Sequence, residues 1–242
     1  MKIGVVVPAK NEQGHLRQLI ESILTLSQIS EIIIVEGGST DQTWQVAKSL
    51  AGETPNIVTA LMQKSKGKFN AVLEGASVSK SEYIFIWDAD GTVSLKDNSL
   101  LMEKLDSNYS CIIGDRLRGK IHPGAMRNAN FLGNHFFSFI WIPILGFRKM
   151  DLLCGSKLLP KRVFLSIPNI LKRIDPYGDF SLMATSRLLG LGVRSVPVDY
   201  YPRSYGETQI RRWRGGFQLL NTTATCYFLL IYKFAKNFAT KR

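Results

Sequence analysis

Two aspartates separated by one residue stand directly after a strongly apolar run of the chain. Asp88 and Asp90 flank Ala89 and follow residues 83–87, whose sequence is YIFIW. Two carboxylates at this spacing can bind Mg²⁺ or Mn²⁺ together with phosphate oxygens of a ligand. The cation then neutralises negative charge on a departing diphosphate. A solvated acidic turn has the same composition, so it is the position after a buried strand that favours a metal site at Asp88 and Asp90.

A second polar segment, EGGSTD at residues 36–41, follows the apolar residues 32–35. Its glycines allow the backbone to approach a ligand closely, and Ser39 or Thr40 can cap the next helix. Glu36 and Asp41 can accept hydrogen bonds from a base or a ribose. A tight turn with an ordinary helix cap has the same features, and the GxGxxG pattern of a dinucleotide site is lacking.

A lysine opens the third predicted helix. Lys68 follows Lys66 and Gly67 at the start of residues 68–76, where it can neutralise a diphosphate. A solvated run of charges explains the same residues about equally well.

Apolar, β-rich runs alternate with helical patterns through the first half of the chain. This alternation predicts right-handed βαβ units and an α/β, Rossmann-like fold with a mostly parallel sheet flanked by helices. Ligands of such sheets bind outside the carboxyl ends of the strands, where the polar segments above should gather. The predicted strands are residues 3–7, 32–35, 57–62 and 83–87, and the predicted helices are residues 14–26, 40–51 and 68–76.

The positive net charge of the chain indicates which classes of binding partner to expect. The 242 residues carry a formal net charge of +12, which favours phosphorylated ligands, an anionic membrane surface or nucleic acid. Arg211, Arg212 and Arg214 form the only dense basic cluster, and acidic strand ends repel nucleic acid, so we expect no nucleic-acid partner. The cysteines Cys111, Cys154 and Cys226 form no CxxC pair, which is typical of reduced thiols in the cytoplasm.

Two apolar segments in the second half approach the length that spans a bilayer, but polar residues interrupt both. Residues 130–147 fit an interfacial helix and a buried core helix equally well. Residues 217–235 are flanked by basic residues, which favours an amphipathic C-terminal helix at a membrane surface. The apolar run of residues 1–8 is too short for a signal peptide and predicts a buried strand. We therefore expect a cytoplasmic protein in peripheral contact with the inner face of the cell membrane.

Eight segments, in order along nearly the whole chain, resemble the family 2 glycosyltransferases of the GT-A fold. Within that family they resemble the branch that contains dolichol-phosphate mannosyltransferase and related bacterial polyprenyl-phosphate and polysaccharide enzymes. The segments are VVVPAKNE at 5–12, IIIVEGGSTDQT at 32–43, GKFNAVLEGA at 67–76, FIWDADGT at 85–92, IIGDRLRG at 112–119, MDLLCGSK at 150–157, residues 178–208, and IRRWRGG at 210–216.

The resemblance implies an inverting, metal-dependent transfer of a sugar from a UDP- or GDP-sugar to a polyprenyl-phosphate or glycan acceptor. It implies a GT-A domain over residues 1–216, with a nucleotide-sugar half (1–115) and an acceptor half (116–216), before a C-terminal helix (217–242). The residues it assigns to the nucleotide sugar are Pro8, Ala9, Asn11, Glu12, Glu36, Ser39, Gly67, Lys68, Asp88, Ala89 and Arg203.

The remaining implied roles concern the metal and the acceptor. Asp88 and Asp90 would hold the metal, Mg²⁺ or Mn²⁺. A hydroxyl acceptor needs a base, for which Asp179 is the first candidate and Asp151 the second. A lipid phosphate is already ionised and needs little base. Arginines after the fifth strand, Arg116 and Arg127 above all, would then bind it.

Two other classes of protein remain open on the sequence. A nucleotidyltransferase also uses acidic residues and a divalent metal, but it would usually show a glycine-rich phosphate loop. Lys10 follows the first strand without such a glycine run. A basic, non-enzymatic membrane- or nucleic-acid-binding module would account for the charge alone. The sequence also leaves open association into a homo-oligomer.

Overall fold

The protein is described by a computed structural model over residues 2–106, 110–146, 148–203 and 212–239. Within these residues, seven strands form one sheet. The strands are β1 (Ile3–Ala9), β2 (Ile29–Glu36), β3 (Val58–Met62), β4 (Tyr83–Ile86), β5 (Cys111–Asp115), β6 (Lys157–Pro160) and β7 (Val193–Pro197). Their order across the sheet is β3-β2-β1-β4-β6-β5-β7.

Helices cover the sheet on both sides. They are α1 (Leu16–Leu24), α2 (Thr43–Glu53), α3 (Lys68–Val78), α4 (Leu95–Glu103), α5 (Asn128–Ile140), α6 (Lys161–Leu165), α7 (Asn169–Ile174), α8 (Asp179–Leu188) and α9 (Arg212–Ala239). Neighbouring strands are parallel except at β6, which runs antiparallel to both β4 and β5. The predicted α/β fold with a mostly parallel sheet and a C-terminal helix is thereby confirmed.

Apolar side chains on the two faces of the sheet form two separate cores. Val5 and Val7 of β1 pack with α1, α2 and α4 on one face, and Val6 packs with α3, α6 and α8 on the other. Both sets are fully buried because helices cover each face. This arrangement explains why the strands are continuous apolar runs without alternation.

The helix after β2 begins later than its sequence pattern predicts. α2 begins at Thr43 and the prediction began at residue 40. Ser39 and Thr40 bind the loop after β1 and do not begin the helix. The Ser39 hydroxyl accepts a hydrogen bond from the Asn11 amide, and the Thr40 amide donates one to Asn11 Oδ1. Asp41 precedes the helix, and its Oδ1 accepts from the Thr43 amide at 3.0 Å. The acidic residue therefore still lies at the helix N-terminus, where a negative charge is favourable.

The long C-terminal helix, α9, packs against the domain along one side. Leu219 and Cys226 are buried in the core that contains α7 and α8. Trp141, just after α5, donates from Nε1 to Thr223 Oγ1 at 3.2 Å and so joins α5 to α9. The opposite side of α9 exposes several large apolar residues, Phe228 and Phe234 among them. Among the described residues, no helix is both long enough and apolar enough to cross a membrane.

Candidate active site

The carboxyl ends of β1, β2 and β4 meet at one edge of the sheet. From β1 the chain builds β2 and β3 on one side and then places β4 on the other side of β1. In open α/β sheets, ligands bind in the crevice at such a reversal of strand order. The polar segments that follow β1, β2 and β4 therefore surround the position at which a ligand is expected.

Asp88 and Asp90, which follow β4, are each paired with a cation from elsewhere in the chain. Lys68 is the first residue of α3, and its Nζ lies 2.6 Å from Asp88 Oδ1. Arg203 places Nη2 2.8 Å from Asp90 Oδ2. The other oxygen of Asp90 accepts from the amide and the hydroxyl of Thr92, at 3.1 and 2.8 Å. Each of the two carboxylates therefore stabilises a positive charge beside it.

The charges on Asp88 and Lys68 stabilise each other. Burial on its own raises the pKa of Asp88, but Lys68, Lys157 and Arg203 outweigh burial and hold that pKa below its ordinary value. Burial likewise acts to lower the pKa of Lys68, but Asp88 and Asp179 outweigh it and raise that pKa. Asp88 therefore stays ionised at neutral pH.

Gly155, which belongs to the predicted acceptor half, packs directly against Asp88. A Cβ atom placed on Gly155 would lie 1.9 Å from Asp88 Oδ2, so no larger residue fits without a shift of one of the two. Gly155 lies between Asp151 and Lys157, in the segment that leads into β6. This close approach brings the predicted acceptor half to the edge of the aspartate pair.

The loops after β1 and β2 are tied together by hydrogen bonds. The Asn11 amide donates to Ser39 Oγ at 2.9 Å, and the Thr40 amide donates to Asn11 Oδ1 at 2.9 Å. Asn11 has φ of 56°, in the left-handed region that asparagine tolerates better than most residues. The Ser39 amide also donates to the buried carboxylate of Glu36. The predicted residues Asn11, Glu36 and Ser39 thus form one network.

Glu12 is a buried carboxyl group with an excess of negative charge around it. Burial, followed by Asp90, raises its pKa from 4.5 to about 7, although Arg203 opposes the shift. Within the described part of the chain, its Oε2 atom is buried and has no hydrogen-bond partner. An unpaired buried acceptor is costly, so this position favours a ligand that supplies a donor or a positive charge.

Replacing Glu12 by glutamine is expected to change how stability depends on pH. The folded-state pKa of Glu12 is raised, so its contribution to stability is present below pH 4.5 and is lost as pH rises through about 7. Glutamine does not ionise, so the Glu12→Gln variant does not lose this stability as pH rises. Thermal melts across that pH range should show the variant gaining stability over wild type as pH rises.

The matched control for this pH series is Glu21→Gln, on the exposed side of α1. Glu21→Gln should follow the wild-type pH dependence. A Glu12→Gln variant that also melts in parallel with wild type at every pH would contradict the raised pKa.

Asp179, the first residue of α8, pairs with a lysine that projects from the sheet. Lys157, at the start of β6, is fully buried, and its Nζ donates to Asp179 Oδ1 and to the Cys154 carbonyl. Burial raises the pKa of Asp179, although Lys157 and Lys68 oppose that effect. Because Lys68 acts on Asp88 as well as on Asp179, the two aspartates belong to one cluster of charges.

Arg116 and Asp151 form a buried, two-pronged ion pair. Arg116 Nε lies 2.6 Å from Asp151 Oδ2, and its Nη2 lies 3.0 Å from Asp151 Oδ1. The guanidinium also lies 4.9 Å from the centre of the Tyr200 ring. With its oxygen turned towards Arg116, the Asn134 amide of α5 accepts from Nη2 at 3.2 Å. Asp151 is fully buried and engaged by Arg116, whereas the Asp179 side chain keeps 16% of its surface exposed.

The predicted site residues divide into two groups by position. One group lies around the switch in strand order, at the ends of β1 and β2, on the loops after β1, β2 and β4, around the start of α3, and at Arg203. Arg127, by contrast, precedes α5 and is exposed. The family resemblance also implies that the segment after Arg203 closes over the diphosphate, but residues 204–211 of that segment lie outside the described residues. The residues around the switch are Pro8, Ala9, Asn11, Glu12, Glu36, Ser39, Gly67, Lys68, Asp88, Ala89, Asp90 and Arg203.

Lys157 is the residue of this cluster to which the sequence assigned no role. A lysine in the short apolar strand KLLP was the available signal, because a charged residue is rarely buried without a partner. Its partner, Asp179, is 22 residues away, and that pairing becomes visible only in the fold.

Comparison with known proteins is consistent with this geometry. A sequence model described as "Glycosyl transferase family 2" matches residues 4–164. Glycosyltransferase AglJ of Haloferax volcanii is 27% identical over 206 residues, which are 84% of this chain and 64% of that protein. Dolichyl-phosphate beta-glucosyltransferase ALG5A of Trichomonas vaginalis is 27% identical over 217 residues, which are 82% of this chain and 65% of that protein. The chain thus spans just under two thirds of the length of these curated relatives.

A solved structure shares the fold. Glucosyl-3-phosphoglycerate synthase from Mycobacterium tuberculosis, crystallised with Mn²⁺ and UDP-glucose, matches with a TM-score of 0.70 at 19% identity. The match covers 93% of this chain and 78% of that chain. The GT-A-type fold implied by the sequence resemblance is therefore confirmed. Since the family model matches well over half of the sequence, the chain belongs to glycosyltransferase family 2.

Proposed function

We propose that the protein transfers a sugar from a UDP- or GDP-sugar to a polyprenyl phosphate, with inversion at the anomeric carbon and with a divalent metal. The observation that carries this proposal is the pair of carboxylates after β4. Each is held by a cation, Lys68 on Asp88 and Arg203 on Asp90, at the switch in strand order. Two carboxylates that already attract positive charge suit a site that binds a divalent metal together with a diphosphate.

The donor atoms of the site fit Mg²⁺ or Mn²⁺. Asp88 and Asp90 supply hard carboxylate oxygens, and the orphaned Oε2 of Glu12 belongs to the same acidic surroundings. The described residues contain no group of three or more His, Cys, Asp or Glu side chains able to enclose a metal. Mg²⁺ is commonly held by one or two carboxylates with substrate phosphates and water, so two aspartates suffice. When bound, the metal neutralises charge that develops on the leaving diphosphate.

The residues around the aspartates supply the rest of the donor site. Lys68 and Arg203 carry positive charge beside the carboxylates and would stabilise the diphosphate as it leaves. Glu36 and Asn11, fixed by Ser39, would hydrogen-bond the base or the ribose. The M. tuberculosis enzyme of similar fold was crystallised with UDP-glucose and Mn²⁺, which supports this class of donor.

The acceptor proposal rests on the relatives and on the arginines of the second half. One similar protein is named a dolichyl-phosphate glucosyltransferase. Arg116 is bound to Asp151 and is therefore held in one orientation, with its Nη2 directed at Asn134. Because Asp151 already engages both prongs of the Arg116 guanidinium, exposed Arg127 is the candidate bidentate partner for phosphate. A lipid phosphate lies in a bilayer, so we also propose that the protein works in peripheral contact with the cytoplasmic membrane face.

The direct test is sugar transfer with labelled donors. UDP-glucose and GDP-mannose are incubated separately with the protein, Mn²⁺ and polyprenyl phosphate in detergent, and the organic phase is then counted. One donor should deliver metal-dependent label to the lipid fraction. Formation of sugar nucleotide from a nucleoside triphosphate and a sugar phosphate, without any transfer, would instead support a nucleotidyltransferase.

Replacing Asp179 by asparagine is expected to separate the two kinds of acceptor. General-base catalysis is typically worth about 10²- to 10⁴-fold, so kcat for a hydroxyl acceptor should fall by that factor. A phosphate acceptor is already ionised, so its kcat should fall by less than about tenfold. The measurement is kcat at saturating donor for each acceptor. A fall above 10²-fold with polyprenyl phosphate would contradict the lipid-phosphate proposal.

A further inference from the structure

The edge of the sheet farthest from β3 carries a groove lined by basic side chains. β7 is the last strand at this edge in the described sheet, and the groove beside it has a volume of about 680 Å³. Its walls come from the end of α4, the turn after β5, the segment before Asp151, and β7 itself. The cations that line it are Lys104, Arg118, Arg148, Lys149 and Arg194.

The charge of this groove is strongly one-sided. In the described part of the chain, none of its lining residues is acidic. Asp106 pairs with Arg194 at 3.3 Å, and Arg118 donates to Ser195 Oγ at 3.4 Å. Asp106 beside Arg194 and buried Asp115 beside Arg118 and Ser195 offset part of this charge, but the five lining cations still leave a net positive field that attracts anions.

The groove is separate from the proposed acceptor arginines. Arg116 points inward to Asp151, whereas Arg118, two residues later, points to β7. Met150 lines the groove, and the next residue, Asp151, belongs to the buried pair. The groove thus lies on the outer surface of the predicted acceptor half and does not include the buried Arg116–Asp151 pair.

An exposed apolar face adjoins the groove. Lys149 Nζ lies 2.7 Å from His135 Nδ1 on α5, and the His135 ring packs edge-on against Phe131 with centroids 4.4 Å apart. Leu132 and Phe139, on the same helix, are 68% and 71% exposed. A helix with an apolar exposed face beside clustered cations is typical of a helix that lies in a membrane interface.

We propose that this groove binds the phosphate headgroups of anionic phospholipids while the exposed face of α5 enters the membrane interface. Charge complementarity supports this occupant, because the cytoplasmic leaflet is negative and attracts clustered Lys and Arg. A soluble anion would use the cations but would leave Leu132 and Phe139 in water. The inference rests on the proposed function in one respect, since a polyprenyl-phosphate acceptor requires the enzyme to be at a bilayer.

The test is co-sedimentation of the full chain with vesicles of phosphatidylcholine, with and without phosphatidylglycerol. The groove variant is Lys104→Gln, Arg118→Gln and Lys149→Gln. At about fivefold per cation, its affinity for the anionic vesicles should fall on the order of 100-fold. The matched control is Lys2→Gln, Lys48→Gln and Lys80→Gln, which removes the same charge from exposed lysines elsewhere and should bind nearly as wild type does.

Three outcomes would overturn the proposal. The first is unchanged vesicle binding by the groove variant. The second is an equal loss in the control variant, since net charge would then be the cause. The third is stabilisation of wild type by inorganic phosphate that the groove variant lacks, with vesicle binding equal in both, since the groove would then take a soluble anion.

Folding and the proposed function are checked separately. The groove variant should have the melting temperature of wild type and should be stabilised by nucleoside diphosphate to the same extent. In the described structure, none of the three replaced residues, Lys104, Arg118 and Lys149, contacts the aspartate pair. A second variant, Leu132→Gln with Phe139→Gln, should also weaken binding while leaving the groove intact. Its unchanged binding would contradict the role given to α5.

Discussion

Replacing Asp90 by asparagine is expected to reduce sugar transfer by at least about 10³-fold, because electrostatic stabilisation of the leaving group is a dominant part of such catalysis. The amide is close in size to the carboxylate but lacks its charge. It therefore loses the pairing of Oδ2 with Arg203 and the capacity to bind a divalent cation. The measurement is the initial rate of transfer at saturating donor and metal.

The fold should tolerate this substitution. Asp90 raises the pKa of Glu12, so removal of its charge relieves repulsion between the two carboxyl groups. The matched control is Asp97→Asn, in the first turn of α4, where the carboxylate accepts from Ser94. That control should keep its activity. Wild-type rates in Asp90→Asn would remove Asp90 from the catalytic machinery.

Replacing Arg116 by methionine is expected to destabilise the protein by about 3–5 kcal/mol, because removal of one partner leaves a buried charge uncompensated. Asp151 is fully buried and accepts its two shortest hydrogen bonds from the Arg116 side chain. Such a loss is a large part of the total stability of a typical domain. Denaturant unfolding followed by fluorescence measures it.

Two further variants test whether the lost stability comes from the broken ion pair or from the removal of any arginine. Arg118→Met removes an exposed arginine two residues along and should change stability by no more than about 0.5 kcal/mol. The double variant Arg116→Met with Asp151→Leu removes both charges and should recover most of the lost stability. Equal stability of wild type and Arg116→Met would show that the pair contributes little.

The sequence was sufficient to predict the edge of the sheet at which the site lies. Parallel strands place their carboxyl ends together, so the residues after β1, β2 and β4 had to converge once the alternation of strands and helices was recognised. Asp88 and Asp90 were identifiable for the same reason, since they follow an apolar strand directly.

The pairings between distant residues could not be predicted in the same way. Arg116 and Asp151 are 35 residues apart, and Lys157 and Asp179 are 22 apart, with no periodic pattern that links them. They meet because β6 runs antiparallel between β4 and β5. β6 has only four residues, too few to show a strand pattern. The basic groove could not be predicted from the sequence either, because its cations come from separate segments of the chain.

The most direct test of the central claim is thermal stability with UDP, GDP and dTDP, each with and without Mn²⁺. It is measured for wild type and for the double variant Asp88→Ala with Asp90→Ala. A ligand at about 100 times its Kd stabilises the native state by about 2.7 kcal/mol. We predict that one nucleoside diphosphate stabilises wild type only with Mn²⁺, and that the double variant loses this gain. Stabilisation by none of them, or equal stabilisation of both proteins, would contradict a metal-dependent nucleotide-sugar site at Asp88 and Asp90.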